Sequence, residues 1–324
     1  MAKVVRVHEY GGPEAMIWED AEVPKPGAGE AHIKHTAVGL NFIDVYHRTG
    51  LYPQPSLPFV PGTEAAGEVL AIGEGVTNVR VGDRVAYASV VGSYSQERII
   101  VAERLVKLPD NIDDKTAAAS MLQGMTARYL LRKTYVVKSG DTILCHAAAG
   151  GVGLILCQWA KALGATVIGT VGSEEKAKLA QENGCDHVIN YSNDDFVSKV
   201  LEITENRKVD VVYDSVGNDT FPGSLDCLKP LGTWVTFGQS SGVVPPFDVG
   251  ILAKKGSLYA TRPTLFNYIA STEDLNETAQ DLFDVIGSGK VKISVNQTYS
   301  LADIVQVHKD LEARKTTGST VMLP

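Results

Sequence analysis

The stretch Ala148-Ala149-Gly150-Gly151-Val152-Gly153 concentrates more chemical meaning than any other run of six in this chain. It has the spacing of GxGxxG, with Ala148 in the place of the first glycine. Gly150 lets a backbone come close to a pyrophosphate, and Gly153 lets the following helix pack tightly on a sheet. The unpaired N–H groups at the helix start then face an anion. A Gly-rich turn without ligand has the same letters, so the flanks decide. Residues 141–147 read as a strand, Val152 to Leu163 as a helix stopped by Gly164, and Ala165 to Thr170 as a second strand. That is the strand, turn, helix and strand order that a dinucleotide loop requires.

The end of the second strand selects the dinucleotide. An NAD-type site places Asp or Glu there to hold the ribose 2′-hydroxyl. Here the strand ends Ile168-Gly169-Thr170-Val171-Gly172-Ser173, with no carboxylate before Glu174. Ser173 offers a hydroxyl, and Lys176, one helical turn on, a positive charge. That pairing suits a 2′-phosphate. A merely solvated Lys176 is the alternative, and Glu174 and Glu175 weaken the local positive field. The residues favour NADPH.

These groups need a frame. From about Thr126 the chain alternates strand and helix: Ser173 caps a helix running to Asn183 and stopped by Gly184, and strands are expected at 187–191, 209–214, 233–237 and 257–261. Such alternation builds a parallel sheet covered on both faces, an α/β architecture. Before Thr126, short apolar runs at 4–7, 31–38 and 66–72 are separated by Gly/Pro turns, which suggests a small barrel or sandwich. Amphipathic helices at 272–286 and 301–313 and a closing strand at 320–323 are expected near the end.

Composition bounds the function. The chain has 324 residues, enough for two domains, with 44% hydrophobic and 21% charged residues. A net charge of -8 argues against a broad nucleic-acid surface. The four cysteines, Cys145, Cys157, Cys185 and Cys227, form no CxxC pair and read as buried thiols in a reducing compartment. Met1 to Arg6 lacks the apolar core of a secretion signal. Nineteen uncharged residues separate Asp141 from Lys161, but Gly150, Gly151 and Gly153 interrupt them, so no membrane span and a cytoplasmic location are expected.

With these segments in view, the chain resembles the quinone oxidoreductase branch of the medium-chain dehydrogenase/reductase superfamily. The segments that carry the resemblance are Leu40-Asn41-Phe42-Ile43-Asp44, Gly50-Leu51-Tyr52-Pro53, Pro61-Gly62-Thr63-Glu64-Ala65-Ala66-Gly67, Leu130-Leu131-Arg132-Lys133-Thr134-Tyr135, His146 to Gly153, Tyr213-Asp214-Ser215-Val216-Gly217 and Thr261-Arg262-Pro263. The resemblance implies a GroES-like β-barrel domain over 1–125, to which 263–324 returns, and a Rossmann NADPH-binding domain over 126–262. It places Gly150, Gly151, Val152, Gly172, Ser173, Lys176 and Tyr191 around the phosphates and adenosine. It places Asn41, Thr126, Ser215, Phe237, Ser240, Arg262 and Gly318 along the rest of the cofactor.

The superfamily also contains zinc alcohol dehydrogenases, whose catalytic zinc needs a Cys near position 41 and a His before Glu64. This chain has Asn41 and Thr63 there, both poor zinc ligands, and it lacks a four-cysteine lobe, so no metal is expected. Without a Lewis acid, an acceptor that takes hydride with little help is favoured, and a small quinone meets that demand. Asn41, Tyr46 and Tyr52 are the candidates to line the reacting end, with simple packing of the two tyrosines as the alternative. An enone or alkenal reductase, and a non-enzymatic NADPH- or RNA-binding protein, are the competing functions. Gly256-Ser257-Leu258-Tyr259-Ala260 reads as an apolar edge strand, which a homodimer would cover.

Overall fold

The computed structural model describes all 324 residues. They divide into two units: residues 126–268 with 288–292, and residues 1–125 with 269–287 and 293–324.

The first of these contains a six-stranded sheet in the order His187–Asn190, Thr166–Val171, Thr142–Cys145, Val209–Asp214, Leu228–Thr236, Tyr259–Thr261, every neighbouring pair parallel. Numbered along the chain this is 3-2-1-4-5-6, the doubly wound order, and it reverses between Thr142–Cys145 and Val209–Asp214. The strands are Val/Ile-rich because both faces are covered. Leu144, Ile168, Val212 and Trp234 pack with Val200 and Leu225 in one core. Helix ends fall where the glycines stand: Gly151–Ala162 stops before Gly164 (φ 89°), and Glu174–Glu182 before Gly184 (φ 99°).

The uncharged run at 142–160 is split as its glycines dictate, and no helix is long and apolar enough to cross a membrane. Residues 263–268 stay with the nucleotide unit, whereas the sequence reading returned the chain at 263. Tyr268 explains the difference: its ring stacks on Tyr129 at 4.4 Å and its hydroxyl lies 3.0 Å from Thr134 Oγ1.

The other unit is built on a mostly antiparallel seven-stranded sheet. Its long strand Glu30–Gly39 pairs along one side with Glu64–Ile72. Its other side is shared end to end: residues 30–34 pair with Glu97–Val101, and residues 38–39 with the C-terminal strand Ser319–Leu323. Register shifts after His32 and His35 bend the strand between these partners. The closing strand is thus recruited to the end of an edge that would otherwise carry unpaired backbone. The core joins Ile33, Val38, Val69, Val85 and Tyr87 to Ile304, Val307 and Met322 from the returning segment.

Candidate active site

In the nucleotide unit, most residues singled out around a dinucleotide sit where a parallel strand ends, whereas Thr126 lies in the helix Met121–Tyr129 and Lys176 in the helix Glu174–Glu182. Thr142–Cys145 leads into the glycine loop, and Thr166–Val171 into Gly172 and Ser173. His187–Asn190 leads to Tyr191, Val209–Asp214 to Ser215, Leu228–Thr236 to Phe237 and Ser240, and Tyr259–Thr261 to Arg262. Open parallel sheets bind ligands at that end, beside the point where the order reverses. Gly150 caps the helix Gly151–Ala162, whose first turn holds Gly151 and Val152 and carries no acidic side chain. A Cβ on Gly153 would stand 2.3 Å from the Ala147 carbonyl oxygen, so only glycine lets the helix start this close to the turn. Phosphate oxygens fit the resulting row of N–H groups.

Ser173 and Lys176, the pair the sequence offered for a 2′-phosphate, share one helix start. Ser173 caps the helix Glu174–Glu182, its Oγ accepting from the Lys176 N–H at 3.3 Å. Glu174 is turned away onto the neighbouring loop, where its Oε1 accepts from Asn190 Nδ2 at 2.6 Å and Asn193 Nδ2 at 3.3 Å. Lys176 is half-buried and Tyr191 is 43% exposed. Arg262 donates to the Thr236 carbonyl at 3.0 Å, and Thr126 is buried.

Beneath this end of the sheet lies a buried hub that the sequence reading did not single out. Asp214 accepts from Thr220 Oγ1, Ser224 Oγ, Trp234 Nε1 and the N–H groups of Val216 and Gly217. Burial pushes its pKa up, but His146 and these donors outweigh that and hold it below the usual carboxylate range. His146, between Thr170 Oγ1 at 2.9 Å and Ser224 Oγ at 3.0 Å, ties the hub to the adjacent strand. The hub fixes the loops on either side of the reversal.

In the other unit, Asn41 caps the helix Phe42–Thr49, and Asp44 returns the favour by accepting from the Asn41 N–H at 2.9 Å. Tyr46, in the same helix, is buried, and Tyr52 follows two residues after Gly50. Their rings meet edge-on at 5.1 Å, and the Tyr52 N–H donates to the Tyr46 carbonyl at 3.0 Å. Gly318 takes a left-handed turn (φ 55°) just before the closing strand.

The Asn41 amide is fixed by groups whose role the sequence did not reveal. Its Nδ2 donates to Glu64 Oε2 at 2.6 Å, and its Oδ1 accepts from Gln123 Nε2 at 3.2 Å. Thr63 Oγ1 donates to Asp44 Oδ1 at 3.0 Å and Tyr94 Oη to Asp44 Oδ2 at 2.8 Å. Burial pushes Asp44 up to about 7 and Glu64 up to about 8, against the pull of their donors. Asn41 and Thr63 spend their polar atoms on carboxylates, and no three His, Cys, Asp or Glu side chains converge as metal ligands would. Glu64 belongs to the Pro61-to-Gly67 segment, but nothing in its spacing announces Gln123 as a neighbour.

Two family models match the chain, an alcohol dehydrogenase GroES-like domain over residues 27–138 and a zinc-binding dehydrogenase over residues 151–284. The chain is 52% identical to a quinone oxidoreductase of Pseudomonas aeruginosa, with all of both chains covered. It is 46% identical to a 2-haloacrylate reductase of a Burkholderia species, covering all of this chain and 99% of that one. The crystal structure of Escherichia coli quinone oxidoreductase complexed with NADPH superposes over the whole of both chains with a TM-score of 0.98 at 49% identity. The strand order, the glycine loop and these full-length likenesses lead to one conclusion: the chain belongs to the quinone oxidoreductase family of GroES-like, Rossmann-type dehydrogenases.

Proposed function

We propose that this protein is an NADPH-dependent quinone reductase that works without zinc. The observation that carries the reading is the glycine loop at the reversal point of the sheet, in a chain so close to a structure complexed with NADPH. NADPH supplies a hydride; with a proton from solvent it converts a quinone to a hydroquinone. The chain's part is to bind and to orient. Gly151 and Val152 offer N–H groups to the pyrophosphate, Gly150, whose own N–H is held by the Ala147 carbonyl, lets the backbone approach it closely, Ser173 and Lys176 take the 2′-phosphate, and Tyr191 offers a face to adenine. Asn41 presents an amide edge, and the paired Tyr46 and Tyr52 rings present an aromatic wall to a flat acceptor.

Initial rates of NADPH oxidation with 1,4-benzoquinone, with an enone and with no acceptor test the reading, compared as kcat/KM. The quinone is expected to lead. Asn41→Ala and Tyr52→Phe should lower its kcat/KM more than they loosen NADPH. An enone or 2-haloacrylate outrunning the quinone would replace this reading with reduction of an activated C=C bond, which the 46% identical 2-haloacrylate reductase favours as the second choice.

Two further features belong to the proposal. Tyr259–Thr261 is the edge strand of its sheet, with Tyr259 62% exposed, and pairing with a second copy would cover it as a homodimer. All four cysteines are free and buried, which suits a reducing compartment such as the cytoplasm.

A further inference from the structure

We propose that Glu64, Gln123 and Ser319 form a directional hydrogen-bond relay that sets which edge of the Asn41 amide faces the ligand, its direction following the protonation of Glu64. The inference rests on the reading that Asn41 stands at the reacting end, and its test separates the two.

The four side chains are buried in a line drawn from four segments of the same unit. Ser319 Oγ donates to Gln123 Oε1 at 2.6 Å, Gln123 Nε2 donates to Asn41 Oδ1, and Asn41 Nδ2 donates to Glu64 Oε2. Glu64 Oε1 accepts from the Leu122 N–H at 2.7 Å. Every link runs toward Glu64, which accepts on both oxygens, as an ionised carboxylate does. A Cβ at position 39 would stand 2.5 Å from Glu64 Oε2, so Gly39 makes room for the carboxylate.

The same atoms also satisfy the opposite direction. A proton on Glu64 Oε2 turns that oxygen into a donor, and the Asn41 amide must turn over to accept from it. Asn41 Nδ2 then donates to Gln123 Oε1, and the turned Gln123 amide donates to Ser319 Oγ. The Ser319 hydrogen is taken by the Ala119 carbonyl, which already lies 2.8 Å from Oγ. Every link of the relay is kept, because amide oxygen and nitrogen are nearly the same size, and the turn costs only the long contact from Gln123 Nε2 to the Leu40 carbonyl at 3.4 Å. What changes is the site: the second N–H and the second oxygen lone pair of Asn41 exchange places.

Burial brings the ionisation of Glu64 into reach, pushing it up to about 8. The titratable groups facing it are Asp44, from the helix Phe42–Thr49, and Tyr94. The helix Met121–Tyr129 meets it with the Leu122 N–H and Gln123. Asp44 touches the backbone N–H of Asn41 and not its amide, so its own ionisation leaves the relay direction alone.

The test follows NADPH binding by its fluorescence, and NADPH oxidation by 1,4-benzoquinone, from about pH 6 to about pH 10. It uses the wild-type protein, Glu64→Gln and Gln123→Glu. In Glu64→Gln the Leu122 N–H still claims the amide oxygen, so the amide nitrogen faces Asn41 and locks the reversed relay. Apart from the Asp44 ionisation common to all three proteins, the wild type should show one worth roughly threefold to tenfold in Kd or kcat/KM, the value of one neutral hydrogen bond. Glu64→Gln should lack that ionisation and keep the wild type's acid-side value. Gln123→Glu, which accepts from both Ser319 and Asn41, should move the ionisation up by about a pH unit or more. A flat wild type, or an ionisation unmoved in both variants, overturns the relay. If NADPH binding follows the expected pattern while no quinone is reduced, the relay stands and the acceptor assignment fails. If quinone is reduced with no such pattern, the assignment stands and the relay fails.

Discussion

Arg48 and Glu312 lie 264 positions apart and meet as a two-pronged ion pair, Nη2 to Oε1 at 2.7 Å and Nη1 to Oε2 at 3.2 Å. The guanidinium is 1% exposed and the carboxylate 34%, so the charge that depends on the pair is the arginine. Arg48 Nε also donates to the Gly11 carbonyl at 3.1 Å, fastening the helix that Asn41 caps to both chain ends of its unit. Glu312→Ala leaves a buried cation with one fewer partner. Urea unfolding should show a loss of about 1–3 kcal/mol, below the cost of breaking a fully buried pair because Glu312 keeps some contact with water.

The same network should make the protein sensitive to acid. His308 Nδ1 faces Arg48 Nη1 at 3.0 Å and so accepts, which puts its hydrogen on Nε2, toward Tyr94 Oη at 3.1 Å. Burial, aided by the Arg48 charge, lowers its pKa to about 3. A histidine held below its unfolded value contributes stability that is present above the unfolded pKa near 6.5. That stability is lost as pH falls toward 3. In that window His308→Gln, which keeps an acceptor and a donor, should flatten the fall by up to about 1.4 kcal/mol per pH unit. An unchanged slope in urea titrations would show that His308 does not carry it.

Gly153→Ala should separate folding of the nucleotide loop from the rest of its unit. The new methyl group would meet backbone oxygens of Ala147 at 2.3 Å and Ala148 at 2.7 Å, and neither can move without shifting the turn. A loss of about 1–3 kcal/mol is expected, together with NADPH affinity reduced by at least about tenfold as the N–H row shifts. Fluorescence titration with NADPH checks the second effect, and thermal melting the first.

Lys176→Ala should weaken NADPH and spare NADH. A charge-assisted contact to the 2′-phosphate is worth about 1.5–3 kcal/mol, so the KM for NADPH should rise roughly tenfold or more. Equal losses with both cofactors would make Lys176 a structural residue. Glu174, already held by Asn190 and Asn193, should matter little to either.

Tyr259→Lys, a charge on the exposed edge strand, should turn a dimer into a monomer at micromolar concentration in light scattering. A wild type that is already monomeric there would remove the homodimer from the proposal.

The glycine loop, the helix stops and the choice of dinucleotide were legible in the letters because they are local. A left-handed turn, a capped helix start or a missing carboxylate is decided within a few residues of backbone, and Gly164, Gly184 and Ser173 stand where the structure uses them. The alternation after Thr126 likewise implied a parallel sheet. The order of its strands, which puts the reversal beside the loop, comes from packing between them. The partners of the Asn41 amide were not legible as such. Glu64, Gln123 and Ser319 reach it from 23, 82 and, through Gln123, a further 196 positions away. A polar side chain at such a position carries no period and no motif. Only the closing strand, seated on the end of Glu30–Gly39, brings Ser319 to it. Burial then requires each of these groups to find a partner, and that requirement fixed the Asn41 amide.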